Sequence, residues 1–315
     1  MLVGLINPAA GRVSAVELAH VLASSSPRLR LVMSDQPSDI DALIRSLNAV
    51  PAELIVIGGG DGTLCNLLTR FDAAGRLDQV PPLLALPAGR INTIASALVG
   101  SEHPARLAQR ILLAWTRGVR RLQRVPIVRV RVDGQPSRVG MTASIGAVAR
   151  IHADYRQGPY MGVTGVGLTL TRLALQRLAG DRFAPIRGKV QIEPGLVHLP
   201  VVTAGVLSAL PCFFKIVKPF PGVHSVAVDG LHMALSALGP MASQAAVLGM
   251  VRGNLSNSPH LQFGTVQRLS WRNGSRPDLV ILDGEPIEVA PHAQVTIEVA
   301  AKIRMVVWRA LPRPG

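Results

Sequence analysis

Two stretches of this chain hold residue types whose spacing can do chemistry. Residues 54–68 read LIVIGGGDGTLCNLL. The apolar run Leu54 to Ile57, bounded by glycine, predicts a short buried strand. Leu64, Leu67, Leu68 and Phe71 follow with a helix-like pattern, and Gly58, Gly59, Gly60, Asp61, Gly62 and Thr63 lie between. Strand, glycine turn, helix is an arrangement that aims free backbone N–H groups at an anion. Side chains on the glycines would block the close approach of a phosphate. Asp61 adds a carboxylate where a phosphate-bound Mg²⁺ can be held, directly or through water. The plainer reading is a tight turn in which Asp61 caps the helix, but three consecutive glycines exceed what a cap needs. The second stretch is Asp283-Gly284-Glu285, between two strand patterns. A hairpin turn explains it fully. It also sets two carboxylates on one turn, where they could serve Mg²⁺ or take a proton from a hydroxyl. Asp-Gly recurs at Asp133 and Asp229, so the dipeptide alone assigns nothing, and at Asp133 the hairpin reading suffices.

The elements that must position these residues change character along the chain. Leu2–Ile6, Leu29–Met33, Leu54–Ile57 and Pro82–Leu86 read as strands. Helical patterns cover about 15–23 and 39–47, the stretch after the glycine turn, and the stretch after Asn92. That alternation predicts a parallel sheet flanked by helices, with ligands outside the carboxyl ends of its strands. The turns after Ile6, Ile57 and Leu86 all fall at that edge. Pro104–Leu122 predicts a helix with a basic end. From Val125 the period shortens. Ile127–Val132, Val139–Ile145, Lys189–Ile192, Val197–Ala204, Val226–Val228, Leu279–Leu282, Ile287–Ala290, Val295–Ala300 and Met305–Trp308 read as strands, with a helical insert at Gly162–Leu178. The expected organisation is an α/β domain over 1–124, a β-rich domain over 125–304, and a strand and tail over 305–315 that returns to the first domain.

Composition narrows the partners. The 315 residues are 48% apolar and 17% charged, a globular balance, and the net charge is +14. An excess of cations suits nucleic acid, an anionic membrane surface or phosphorylated substrates. Aromatic residues make up 3% of the chain, too few for the stacking platforms that grip single strands, so no nucleic acid is expected. The two cysteines, Cys65 and Cys212, build no disulfide framework and suggest a reducing compartment. The N-terminus enters a strand pattern at once, so no signal peptide is expected. No apolar run reaches the roughly 20 residues of a spanning helix. The Walker-type phosphate loop, the nucleophile elbow and the paired-histidine zinc motif leave no trace. The basic set Arg150, Arg156, Arg172, Arg177, Arg182, Arg187 and Lys189 around the apolar helix suits either a membrane face or an ordinary amphipathic helix.

Taken in order, Asn7-Pro8 with Gly11, GGGDGT at 58–63, Leu86-Pro87 with Gly89 and Asn92, Ser144 with Gly146, and Asp283-Gly284-Glu285 resemble the diacylglycerol kinase catalytic-domain family. That family includes bacterial lipid kinases, sphingosine kinases and ceramide kinases. The resemblance spans nearly the whole chain; GGDGT alone is shared with NAD kinases. It implies a nucleotide-binding α/β domain, a β-rich second domain, an active site in the cleft between them, ATP and Mg²⁺ as co-substrates, and a lipid hydroxyl as acceptor. By resemblance, Asn7, Gly58, Gly59, Gly60, Gly62 and Thr63 contact ATP phosphates, and Gly89, Arg90 and Asn92 line the nucleotide site. Asp61 and Asp229 fall at metal positions, and Glu285 is the general base, supported by Asp283 and joined in catalysis by Asp61. The chain departs from the family at Asn66, where a Glu is usual. It departs again at Gly89-Arg90-Ile91-Asn92-Thr93, which loses a hydroxyl and a carboxylate, and at Val228-Asp229-Gly230-Leu231, which loses the first Asp. The expectation is a lipid kinase on the cytoplasmic face of a membrane. A soluble-substrate kinase of NAD kinase type and a catalytically weak lipid-binding regulator are the alternatives, and a homodimer is left open.

Overall fold

A computed structural model gives the structure of the chain. It describes all residues except 11–13, 27, 90–91, 158–184, 187–189, 194–196, 200, 213–217, 228, 238–259 and 309–315. The chain divides into two compact units, Met1–Val125 with the stretch from Ala301 onward, and Pro126–Ala300.

The first unit runs β1 (Leu2–Ile6), α1 (Ala15–Ser25), β2 (Leu29–Met33), α2 (Pro37–Ser46), β3 (Leu54–Gly59), α3 (Asp61–Ala73), β4 (Leu83–Pro87), α4 (Thr93–Leu98) and α5 (Pro104–Thr116). Its strands lie in the order β2-β1-β3-β4 and all pair parallel. Every residue of β1, β3 and β4 is buried, which is why these strands read as unbroken apolar runs with no alternation. The edge strand β2 stays half exposed. The last strand of the chain, β16 (Gln294–Val306), brings Met305 beside Leu83 in parallel, adding a fifth strand. Because β2 and β3 flank β1 on opposite sides, the connection reverses direction there, and the β1/β3 edge is a topological switch point. Helix α3 buries Leu64, Leu67, Leu68 and Phe71, and each such side chain contributes about 1.5–3 kcal/mol on leaving water.

Helix α5 ends sooner than its pattern predicts. Gly118 takes φ +84°, the Gly118 N–H bonds to Trp115 O, and the Val119 N–H bonds to Ala114 O. This paired closure stops the helix and turns residues 117–121 outward.

The second unit comprises β5 (Leu122–Val132, entering from the first unit), β6 (Arg138–Gly140), β7 (Thr142–Gly146), α6 (Ala147–Gln157), β8 (Val190–Glu193), β9 (Val197–Leu199), β10 (Ala204–Ser208), β11 (Leu231–Ser236), β12 (Leu261–Val266), β13 (Arg268–Arg272), β14 (Asp278–Leu282), β15 (Glu285–Val289) and the first part of β16. Six strands form an antiparallel sheet in the order β12-β11-β10-β7-β14-β15. A second sheet runs β9-β8-β13-β16, with β5 joining β16 to β6. At its centre Glu298 is buried and meets Arg268 at 2.9 Å, Arg131 at 3.1 Å and Arg129 at 3.5 Å. A buried carboxylate needs such compensation.

The expected α/β unit followed by a β-rich unit is therefore present. Particular elements differ. Val197–Ala204 is two strands separated by a break. Residues 226–227 form no strand, and the two expected C-terminal strands are one, β16. Strands β11, β12 and β13 and helix α6 were not legible beforehand, since their apolar positions are interrupted by His232, Gly264, Arg268 and Arg150. The insert at Gly162–Leu178 lies outside the described residues.

Candidate active site

At the carboxyl edge of the first sheet, three turns stand side by side. After β1, the Asn7 N–H donates to Gly58 O at 3.0 Å, and Asn7 Nδ2 donates to Thr63 Oγ1 at 3.0 Å. The Ala9 N–H returns to Asn7 Oδ1, so this one side chain fixes its own turn and ties it to α3. After β3, Gly60 is the N-cap of α3 and offers no capping side chain. A helix N-terminus without a side-chain cap keeps N–H groups available to an anion. After β4, Asn92 is buried with φ +57°, and its side chain closes the turn through Gly89 N (2.6 Å), Gly89 O (2.6 Å) and Pro87 O (3.0 Å).

The glycines divide into two kinds. A Cβ on Gly58 would stand 2.6 Å from Leu18 Cδ2, one on Gly59 2.4 Å from Thr63 Oγ1, and one on Gly89 2.3 Å from the Gly60 Cα. One on Gly60 would lie 3.2 Å from the Gly89 Cα. These four are small because other parts of the same unit approach them. Gly62 is exposed and a Cβ there would meet nothing within 4 Å. Close approach by a ligand therefore bears on Gly62, whereas internal packing already accounts for the other four.

Asp61 has a defined task. Its carboxylate accepts the N–H of Thr93 at 2.8 Å and of Ile94 at 3.2 Å, which caps α4 from the first residue of α3. Asp61 therefore does not cap its own helix, whose N-cap is Gly60, but the neighbouring one. Both oxygens are thereby engaged with backbone donors. Asp229 stands before β11 in the second unit, and its carbonyl accepts from Gln267 Nε2. Among the described residues no group of three or more His, Cys, Asp or Glu side chains gathers. Arg90 lies outside the described residues.

In the second unit, Asp283 and Gly284 take φ +46° and +94° and close the β14–β15 hairpin as a two-residue turn with both φ positive. Asp283 is engaged with a third strand. Its oxygens accept the N–H of Met141 and of Thr142, both at 2.8 Å, and its own N–H donates to Thr142 O at 2.9 Å. A Cβ on Gly140 would stand 2.3 Å from Asp283 Oδ2, so glycine is required there. Glu285 opens β15 at the surface. Helix α6 is fixed to β14 by a two-pronged Arg150–Asp278 pair, Nε–Oδ1 3.1 Å and Nη2–Oδ2 2.7 Å. On the same helix, buried His152 lies with Nε2 3.8 Å from the place of a Cβ on Gly284. Sequence reading missed Gly140 and His152, and it placed Arg150 only in the basic set around the apolar helix, not against Asp278. Their partners lie more than a hundred residues away, and no local pattern marks them.

Residues 1–123 match the diacylglycerol kinase catalytic domain. No curated protein matches the chain in sequence. Among solved structures, the chain resembles a provisionally assigned diacylglycerol kinase of Bacillus anthracis strain Sterne, with TM-score 0.70 and 16% identity over 97% of this chain and 96% of the other. It also resembles a diacylglycerol kinase of the same strain, at TM-score 0.63 and 14% identity over 97% and 96%. A yeast NADH kinase in complex with NADH follows at TM-score 0.55 and 13% identity, over 98% and 83%. At these identities the likeness is one of fold. The diacylglycerol kinase catalytic-domain match covers the unit that carries the glycine turn.

Proposed function

We propose that this protein is a kinase of the diacylglycerol kinase and NAD kinase superfamily that transfers the γ-phosphoryl group of ATP to the hydroxyl of a lipid alcohol. The observation that carries the reading is the match of residues 1–123 to the diacylglycerol kinase catalytic domain, on the unit where Gly60 leaves the α3 N-terminus without a side-chain cap. Phosphoryl transfer asks a protein mainly for positioning and charge stabilisation. In this reading the α3 N-terminus and Gly62 receive phosphate oxygens. Asn7 and Asn92 are positioning residues that set the neighbouring turns, and Asp61 positions α4. In the second unit Glu285 accepts the hydroxyl proton. Asp283 is a positioning residue that holds the hairpin on β7.

A lipid acceptor is favoured over a nicotinamide one by the higher structural likeness to the two Bacillus proteins, 0.70 and 0.63 against 0.55. No helix among the described residues is long and apolar enough to cross a membrane. The enzyme is proposed to meet its lipid as a peripheral protein at the inner face of the bilayer. The test is incubation with γ-labelled ATP and a panel of diacylglycerol, ceramide, sphingosine and NAD. Label in a lipid supports the proposal. Label confined to NAD assigns the soluble-substrate alternative, and no label above background assigns the regulatory one.

A further inference from the structure

The first unit carries a surface that the phosphoryl chemistry does not use. From residue 104 to residue 124 the chain has six arginines and no carboxylate. Arg106, Arg110, Leu113 and Arg117 follow one another at helical spacing on the exposed side of α5 and at its C-cap. The opposite side buries Leu107, Ala108, Ile111, Leu112 and Trp115. The closure at Gly118 then turns Val119, Arg120 and Arg121 outward. Leu113 and Val119 are 49% and 45% exposed, two large apolar side chains set among cations. A single ring joins these pieces into one surface. The Trp308 ring lies 6.0 Å from the Arg110 guanidinium carbon and 5.3 Å from that of Arg121. Backbone bonds from Val307 to Arg121 O and from Trp308 to Leu98 O hold it there.

Compensation within the surface is sparse. Arg110 pairs with Glu102 and Arg120 reaches Glu53 at 3.7 Å. The guanidinium groups of Arg106, Arg117 and Arg124 meet no carboxylate among the described residues. Arginines around protruding Leu and Val, with a tryptophan at the margin, match a bilayer interface. The cations meet anionic head groups, the stems and apolar side chains enter the acyl boundary, and the indole sits at the head-group level. A nucleic acid would use the cations but give Leu113 and Val119 no apolar partner.

We infer that the face formed by α5, residues 117–124 and Trp308 is the surface by which this protein docks on an anionic lipid bilayer. The inference deepens the reading of a lipid acceptor and rests on it for its purpose, although docking is measured without ATP. The experiment is sedimentation of the full chain with phosphatidylcholine vesicles, with and without phosphatidylglycerol, across a salt series. Each cation near such a surface contributes roughly a fivefold factor in partitioning, so the triple variant Arg106→Gln, Arg117→Gln, Arg124→Gln should bind anionic vesicles about 100-fold more weakly. A Leu113→Ser, Val119→Ser variant should lose the salt-resistant part of binding. The control triple Arg28→Gln, Arg45→Gln, Arg272→Gln removes equal charge elsewhere and should bind like wild type. Thermal unfolding confirms that each variant is folded. Equal loss in both triples, equal binding to neutral vesicles, or binding of duplex DNA but not vesicles overturns the inference. Turnover on an acceptor dispersed in neutral detergent micelles separates the two readings. Micellar turnover without vesicle binding sinks the docking face alone, and vesicle binding without transfer to any lipid sinks the lipid-kinase proposal alone.

Discussion

Gly62 is where the phosphate reading is most exposed to test. Its neighbours Gly58, Gly59, Gly60 and Gly89 are held small by protein atoms, so substituting them confounds folding with binding. Gly89→Ala would place its Cβ 2.3 Å from the Gly60 Cα, and such overpacking costs about 1–3 kcal/mol. Gly62→Val meets nothing within 4 Å, so its unfolding free energy should stay within about 0.5 kcal/mol of wild type. ATP affinity measured by calorimetry should nevertheless fall by about tenfold or more, because the new side chain occupies the ground a phosphate needs. A stable variant with unchanged ATP affinity contradicts the assignment. Asp61 is tested by stability instead. Asp61→Ala strips the Thr93 and Ile94 N–H groups of their acceptor and should lower urea-unfolding stability by about 1–3 kcal/mol. Unaltered stability would argue against the cap. The sequence made Asp61 and the glycines conspicuous but not this division of labour. Residue 61 meets residues 93 and 94 through the fold alone, and no local spacing encodes that.

At the scale of elements, the β14–β15 hairpin depends on β7. Asp283 receives two N–H groups, so Asp283→Asn turns an amide NH₂ toward a backbone donor and should be nearly as damaging as Asp283→Ala. Each should lower stability by about 1–3 kcal/mol. Both should also slow transfer by displacing Glu285, and wild-type turnover in a stable Asp283→Asn would remove Asp283 from any positioning role. The hairpin itself was legible, because Asp-Gly between two apolar runs is a strong local signal. Its attachment to Met141 and Thr142 was not. In the second sheet, Glu298→Gln would leave Arg129, Arg131 and Arg268 crowded without their shared anion. A loss of about 1–3 kcal/mol is expected, because Arg131 and Arg268 are half exposed and water screens them, read by the urea midpoint.

For the whole molecule, the change from alternating strands and helices to short strands was visible because parallel and antiparallel sheets bury their residues differently. Strands β1, β3 and β4, buried on both faces, announce themselves as apolar runs. Strands β12 and β13 carry exposed residues and a glycine and do not. The sequence likewise made the glycine turn apparent and left the acceptor open, since acceptor choice lies in shape assembled from distant segments. The central claim is transfer to a lipid hydroxyl with Glu285 receiving its proton. The most direct measurement is the initial rate of label transfer from γ-labelled ATP to diacylglycerol in mixed micelles, for wild type and Glu285→Gln in parallel, with NAD as the competing acceptor. The expected result is label in the lipid from wild type and about 10² to 10⁴-fold less from Glu285→Gln, with ATP affinity retained. Label appearing only in NAD, or equal lipid labelling by both proteins, would contradict the account.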